Sequence, residues 1–214
     1  EPEAVAAVAP AAAAPGPTAA AAPQGGGDEY VNYNIPVGEW DNTVQQWLVD
    51  EGKCQAGALG RLTGNQVFLY AAAPTNNCDG WRTLWKGTGE DGMGTYAATV
   101  ATDDGTDAVI QVSEPTCIGD AVTKGQASHG LWLGGVKHTI LQHDPAFPGR
   151  DGTLYTAVLA MKGRDGVHLV LCPPAADGSQ QVILGRYAEA MQQNSGACKV
   201  AVMDFAEYLH QQGY

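Results

Sequence analysis

The sequence predicts an α+β domain in which a central antiparallel sheet carries the N-terminal and C-terminal helices side by side on one face. Three observations predict it. Amphipathic helical patterns stand at both ends of the globular part of the chain, within residues 39–52 and 195–214. Strand-like apolar or alternating runs fill the chain between them. Short spacers with turn residues join the last four runs, which is typical of an antiparallel meander.

Residues 1–38 form a low-complexity segment ahead of the predicted domain, which spans residues 39–214. The segment is rich in Ala, Pro and Gly and has no apolar pattern that could offset the entropy of ordering it. Two interpretations stay open: a flexible linker, or a tether that docks on a partner. Since the first residue is Glu1 rather than Met, we expect further residues upstream.

Charge and cysteine content exclude several classes of protein. The formal net charge is −12, of which the four acidic residues of segment 1–38 contribute −4, so the domain carries −8. Nucleic-acid and anionic-membrane binders need a basic surface, so neither partner is expected. The five cysteines include no C-x-x-C pair, which favours a reduced intracellular protein without a zinc site, and no cofactor is indicated. No run approaches the length of a transmembrane span.

The first predicted helix lies in the stretch EWDNTVQQWLVDEG. It places Trp40, Val44, Trp47 and Leu48 on one face, and Gly52 is a plausible end. This apolar face predicts that the helix packs on the sheet.

The next stretch predicts a hairpin followed by an irregular region. Strands are expected at 56–62 and 66–74, joined by a turn at Thr63-Gly64-Asn65. Residues 76–107, rich in Gly and Asp, indicate an irregular insertion, and 106–112 is interpreted as a short helix that stops before Pro115.

The second half of the domain predicts strands and a closing helix. Strands are expected at 131–142, 153–163, 166–174 and 180–189. Within the first of these, the Gly134-Gly135 pair interrupts an apolar run and indicates a tight turn, a bulge or a close backbone approach. The closing helix presents an apolar face through Cys198, Val202, Phe205 and Leu209.

In this order of elements, the chain resembles the profilin family. The stretches EWDNTVQQWL, LYAAAP, GLWLGGVKHTILQ and VILGRYAE, with the closing FAEYLHQQGY, are similar to that family's opening helix, central strands and final helix. The resemblance covers residues 39–214 except about 79–104, which look inserted. It implies a profilin-like sheet, in which Gly134-Gly135 is the turn between two central strands.

The resemblance implies a binding site for proline-rich peptides between the terminal helices. The positions that match are Trp40, Tyr70, Tyr208 and Tyr214. A polyproline II ligand suits aromatic residues, because it is preformed and offers ring faces and unpaired carbonyls. An aromatic residue usual in the family is replaced here by Thr43, which implies a weaker site.

The resemblance also implies a surface for monomeric actin, with a weaker match. Lys162 and Arg164 match a basic turn between strands, and Lys199 lies near the start of the last helix. Val200 occupies a position that is often basic in the family. Since complementary charge supports association, a domain of charge −8 should bind acidic actin less well than typical relatives do.

No catalytic motif fits its required context. GTGEDG, with Gly87, Gly89 and Gly92, matches a dinucleotide fingerprint but lacks the flanking strand and helix. His138 and His168 are expected to be sheet residues rather than bases or ligands. We therefore expect a protein that is not an enzyme.

Two hypotheses for function remain open. The first is a cytoplasmic profilin of the cytoskeleton that binds actin monomers and proline-rich segments to regulate actin assembly. The second is a profilin-fold structural subunit, held in a large cytoskeletal or ciliary (axonemal) assembly by its tail and insertion. Retained aromatic residues favour the first, and Thr43, Val200 and the acidic insertion favour the second.

Overall fold

The computed structural model describes residues 37–86, 94–101 and 105–214. In chain order its elements are α1 (Glu39–Val44), β1 (Ala56–Thr63), β2 (Gln66–Ala73), α2 (Asp79–Leu84), β3 (Thr95–Ala101), β4 (Asp107–Ser113), α3 (Glu114–Lys124), β5 (Leu131–Leu133), β6 (Val136–Pro148), β7 (Leu154–Lys162), β8 (Asp165–Leu171), β9 (Gln180–Tyr187) and α4 (Ser195–Gln211). A wider π-helical turn, Gln45–Val49, extends α1. Of the low-complexity segment, only its last two residues are described.

Seven strands form one antiparallel sheet in the order β2-β1-β9-β8-β7-β6-β5. The inner strands β8 and β9 are covered on both faces, so consecutive residues 167–171 and 181–185 are buried. Such continuous burial requires a layer of helices on each side of the sheet.

The terminal helices share one face of the sheet, as predicted. Val44 and Leu48 of the N-terminal helical segment join Val202 and Phe205 of α4 in one core, together with Ile183 of β9. On the opposite face, α2 and α3 pack through Leu84, Ile118 and Val122 against Leu169 and Leu184. The alternation of Ile183 and Leu184 between the two cores follows from the two-residue period of a strand. The α+β fold class is therefore confirmed.

Gly134-Gly135 forms a two-residue turn between β5 and β6, as predicted. Both glycines have positive φ, +57° and +78°, which suits a hairpin turn of type I′. A Cβ on Gly134 would stand 2.3 Å from the carbonyl oxygen of Thr83, so α2 also requires glycine there. The expectation that the two strands are central is wrong, because β5 is an edge strand of the sheet and β6 is the strand next to it.

The prediction of a helix at 106–112 is wrong, and the helix that follows was not predicted. These residues belong to β4, where Val109 and Ile110 pair with β3. The helix is α3, which begins at Glu114 and has Pro115 in its first turn. Proline is well tolerated there, because the first-turn N–H groups have no partner within the helix. Pro115 thus marks the start of a helix rather than the end of one.

The region predicted as an irregular insertion contains regular structure. It includes α2, and β3 pairs with β4 in a separate two-stranded sheet. The carboxylate of Glu114 holds this hairpin to the domain: it accepts from the N–H of Lys86 (2.8 Å), the hydroxyl of Tyr96 (2.8 Å) and the N–H of Gly135 (2.7 Å). Burial raises the pKa of Glu114 above its usual range, although these donors oppose that shift.

Candidate functional site

Three aromatic rings meet where the N-terminal helix, β2 and the end of the chain come together. The ring centroid of Trp40 lies 5.1 Å from that of Tyr214 and 6.4 Å from that of Tyr70, with the planes nearly perpendicular in both pairs. These are favourable edge-to-face contacts. All three side chains are half-buried, so each keeps part of its surface accessible to a ligand. The structure thus brings together three of the four aromatic residues predicted from the sequence.

A second aromatic group joins the same two terminal helical segments. Trp47 stacks on Tyr208 at 4.9 Å and on Phe205 at 5.5 Å. Tyr208 is the fourth predicted residue, whereas Trp47 was assigned only to the packing face of its helix. Its spacing of seven residues from Trp40, two helical turns, was the available signal. We call the half-buried residues Trp40, Trp47, Tyr70, Tyr208 and Tyr214 the aromatic groove.

Asp41 ties the first turn of α1 to the sheet and so positions Trp40. Its buried carboxylate accepts hydrogen bonds from the N–H of Ala72 (2.8 Å) and from the N–H of Gly38 (2.8 Å). On β2, Tyr70 is fixed by a hydrogen bond from its hydroxyl to Oε1 of Gln181 (3.0 Å). Hydrogen bonds within the chain therefore fix the positions of Trp40 and Tyr70 in the aromatic groove.

The aromatic groove keeps several hydrogen-bond donors unused. Within residues 37–86, 94–101 and 105–214, the indole N–H of Trp40 and the hydroxyls of Tyr208 and Tyr214 have no partner. Tyr70 differs, since its hydroxyl donates to Gln181, and burial raises its pKa well above the usual value, which keeps it protonated. The Thr43 hydroxyl is engaged by the carbonyl oxygen of Glu39 (2.9 Å).

The chemistry of the aromatic groove therefore suits an extended, apolar peptide. Flat ring surfaces can pack against pyrrolidine or methyl groups, while indole and phenol donors can reach backbone carbonyls. A polyproline II helix has no internal hydrogen bonds, so its carbonyls are free to accept.

The basic residues predicted for a second surface lie at one end of β7, in the turn after it, and on α4. Lys162 ends β7, Arg164 lies in the β7–β8 turn, and Lys199 is in the second turn of α4. Arg164 pairs with Glu189 at 3.2 Å, and the Lys199 ammonium lies 4.1 Å from the ring centroid of Phe147. Glu189 thus offsets the charge of Arg164, whereas Lys199 contacts an aromatic ring and keeps its charge.

The histidines singled out in the sequence are buried sheet residues. His168 lies 2.8 Å from the hydroxyl of Ser195, and burial together with the nearby Lys199 lowers its pKa to about 4. Burial and Arg186 lower the pKa of His138 to about 4 as well. The glycines of GTGEDG lie outside the described residues.

Among the segments 37–86, 94–101 and 105–214, no group of three His, Cys, Asp or Glu side chains is arranged to hold a metal ion. In the same segments, no helix is long and apolar enough to cross a membrane.

Comparison with known proteins identifies the family. The family model described as Profilin matches residues 38–214, so the chain belongs to the profilin family. It is 24% identical to the profilin of Plasmodium berghei over 173 residues, 79% of this chain and 92% of that protein. Identity to the profilin of Plasmodium falciparum (isolate 3D7) is 27% over 175 residues, 79% and 94% of the two chains.

Two solved profilin structures are also similar to this chain. The crystal structure of human profilin II has a TM-score of 0.43 and 13% identity, covering 80% of this chain and 98% of its own. Mouse profilin IIa, in complex with a double repeat from the FH1 domain of mDia1, has the same TM-score and identity, with coverage of 83% and 100%.

Proposed function

We propose that this profilin binds proline-rich segments in the aromatic groove and monomeric actin on a separate surface, and thereby regulates actin assembly. The observation that carries the proposal is the contact of Trp40 with Tyr70 and Tyr214, since it places open ring faces beside unused donors. Membership of the profilin family supports both ligands. Trp47 supplies an aromatic surface that partly offsets the absence of a ring at Thr43.

A titration of a fluorescein-labelled proline decamer, followed by fluorescence anisotropy, tests the aromatic groove. Trp40→Ala should weaken binding at least about tenfold, because truncating a central aromatic contact typically costs more than 1.4 kcal/mol. The matched control is Trp81→Ala, since Trp81 packs on the opposite face of the sheet. Equal affinities of Trp40→Ala and the unmodified chain would contradict the assignment.

Actin binding rests on Lys162, Arg164 and Lys199, and sedimentation velocity with monomeric actin tests it. A complex at micromolar concentration that is weakened by Lys162→Glu/Arg164→Glu supports this role. Lys53→Glu is the control, because Lys53 lies near the N-terminal helix and pairs with Glu51. Both substitutions change surface charge, but only the first changes residues assigned to the actin surface. Only the first should therefore affect the complex.

The pairing of Arg164 with Glu189 favours a second function, a profilin-fold structural subunit of a large cytoskeletal assembly. In that role the domain would retain its fold with little affinity for actin. Absence of any actin complex at concentrations a hundredfold higher would favour this subunit. Retained binding of the proline decamer would then identify the aromatic groove as its point of attachment.

A further inference from the structure

The chain enters the domain at the edge of the aromatic groove. Val37 and Gly38 lead directly into α1, and Trp40 is only two residues further on. The hydrogen bond from the N–H of Gly38 to Asp41 fixes this entry point. Residues 1–36 are therefore attached close to Trp40, one of the rings of the groove.

The attached segment has the composition of a groove ligand. Residues 14–23 read APGPTAAAAP, and no charged residue occurs between positions 4 and 27. A polyproline II helix has three residues per turn, so Pro17 and Pro23, six residues apart, would share a face if the segment bound in that conformation. That face could present two pyrrolidine rings to the aromatic groove, about 19 Å apart at 3.1 Å per residue.

We propose that residues 14–23 of the same chain occupy the aromatic groove when no other proline-rich segment is bound. This inference rests on the proposed function, because it assigns an internal ligand to the same site. The segment then acts as a built-in competitor, and an external partner must displace it.

The connection is long enough for the segment to fold back. Thirteen residues, 24–36, separate it from the domain, and they include Gly25, Gly26 and Gly27. A flexible chain of that length has a root-mean-square span of about 20 Å, and short flexible links give effective concentrations in the millimolar range. Even weak intrinsic affinity is then enough for substantial occupancy.

The alanine content keeps this internal contact displaceable. Four consecutive alanines, Ala19–Ala22, separate Thr18 from Pro23, so the segment offers fewer rings than a proline-dense partner. If its intrinsic dissociation constant is about half a millimolar, the apparent affinity for an outside ligand falls about threefold at a millimolar effective concentration. The segment would thereby select for partners of higher proline content.

The test compares chains of residues 1–214 that differ only at prolines of the segment. In the anisotropy titration with the labelled proline decamer, Pro15→Ala/Pro17→Ala/Pro23→Ala should bind about threefold more tightly than the unmodified chain. Pro2→Ala is the matched control, since it removes a proline outside the segment and should leave the affinity unchanged. Adding Trp40→Ala to the triple variant should abolish the tight binding.

The outcomes separate this inference from the proposed function. Equal binding by the unmodified chain and the triple variant would overturn the inference and leave the proposed function intact. Failure of both chains to bind the decamer would overturn the two together. If tighter binding by the triple variant were accompanied by loss of an oligomer seen in sedimentation of the unmodified chain, the segment would occupy a second copy, and the intramolecular contact would be refuted.

Discussion

Asp41 accepts a hydrogen bond from the N–H of Ala72 at 2.8 Å, and this contact joins the first turn of α1 to β2. The two residues lie next to Trp40 and two positions beyond Tyr70, so one buried carboxylate sets the relative position of two groove residues. Since Oδ2 also accepts from Gly38, both carboxylate oxygens are engaged. The stability of the helix and the shape of the aromatic groove therefore depend on the same side chain.

Asp41→Ala should destabilise the domain and weaken peptide binding. It leaves the buried N–H of Ala72 without a partner, and losing a hydrogen bond to a charged group costs about 2 kcal/mol. Urea unfolding measures the change in the free energy of unfolding. Asp50→Ala is the matched control, because Asp50 is exposed and its carboxylate accepts from the side chain of Gln45 at the helix surface, and it should change stability by less than about 0.5 kcal/mol. Equal effects of the two substitutions would contradict this role for Asp41.

Thr43→Tyr should strengthen the binding of proline-rich peptides. Thr43 lies one helical turn after Trp40, is only half-buried, and has its hydroxyl turned back to Glu39. An aromatic ring there would extend the groove, and one added aromatic contact corresponds to about a threefold to tenfold gain in affinity. The proline-decamer titration measures it, with Thr43→Ala as the control for loss of the hydroxyl. Unchanged affinity with Thr43→Tyr would show that this position does not contact the ligand, and a decrease would show that a ring there obstructs the groove.

Much of the fold could be predicted, because its signals are local and periodic. The apolar faces around Val44 and Val202 identified the terminal helices, and Gly134-Gly135 identified the hairpin turn. The prediction of a helix at 106–112 was wrong because the apolar spacing there suits a short helix, whereas the β-branched residues of the segment pair with β3. That pairing depends on residues 95–101, which lie in a region without a strong strand pattern of its own.

The sequence predicted most aromatic residues of the candidate site but not the hydrogen bonds that position them. Family positions located Trp40, Tyr70, Tyr208 and Tyr214, while Trp47 was concealed by its place on an amphipathic face. The bond from Asp41 to Ala72 spans 31 residues of sequence. Which backbone N–H a carboxylate will meet depends on tertiary packing, and no spacing in the sequence encodes it.

Glu114→Gln should destabilise the attachment of the β3–β4 hairpin, while the amides of the main sheet stay protected from hydrogen exchange. Gln has a single acceptor oxygen, so its NH₂ group would face a donor that now points at the carboxylate, either Lys86 or Gly135. An unsatisfied buried donor costs about 1–3 kcal/mol. Hydrogen exchange should show faster exchange in β3 and β4 with little change in β8.

Two further variants calibrate the Glu114 result. Tyr96→Phe removes only the phenolic hydrogen bond and should give a smaller acceleration in the same strands. Glu189→Gln is the control, since that carboxylate is exposed and pairs with Arg164. Uniform acceleration across the whole domain in Glu114→Gln would mean that Glu114 supports global stability rather than the attachment of the hairpin.

His168 should make the stability of the domain depend on pH below neutrality. Its pKa is about 4 in the folded chain, because the imidazole is buried beside Lys199, against about 6.5 when unfolded. The folded state therefore disfavours protonation: the stabilising contribution is complete above pH 6.5 and is lost as the pH falls towards 4. At pH 5 the loss amounts to about 2 kcal/mol from this residue.

Urea unfolding at pH 7 and pH 5 measures this dependence in the unmodified chain and in His168→Gln. Glutamine can still hydrogen-bond the Ser195 hydroxyl but does not titrate. The free energy of unfolding should therefore differ between pH 7 and pH 5 by about 2 kcal/mol less in the variant than in the unmodified chain. His138, with its pKa lowered in the same direction, accounts for a similar part of the dependence, which therefore persists in the variant. His129→Gln replaces an exposed imidazole and serves as the control. If His168→Gln kept the full difference, protonation of His168 would not be linked to unfolding, and the acid sensitivity would have to arise from other groups.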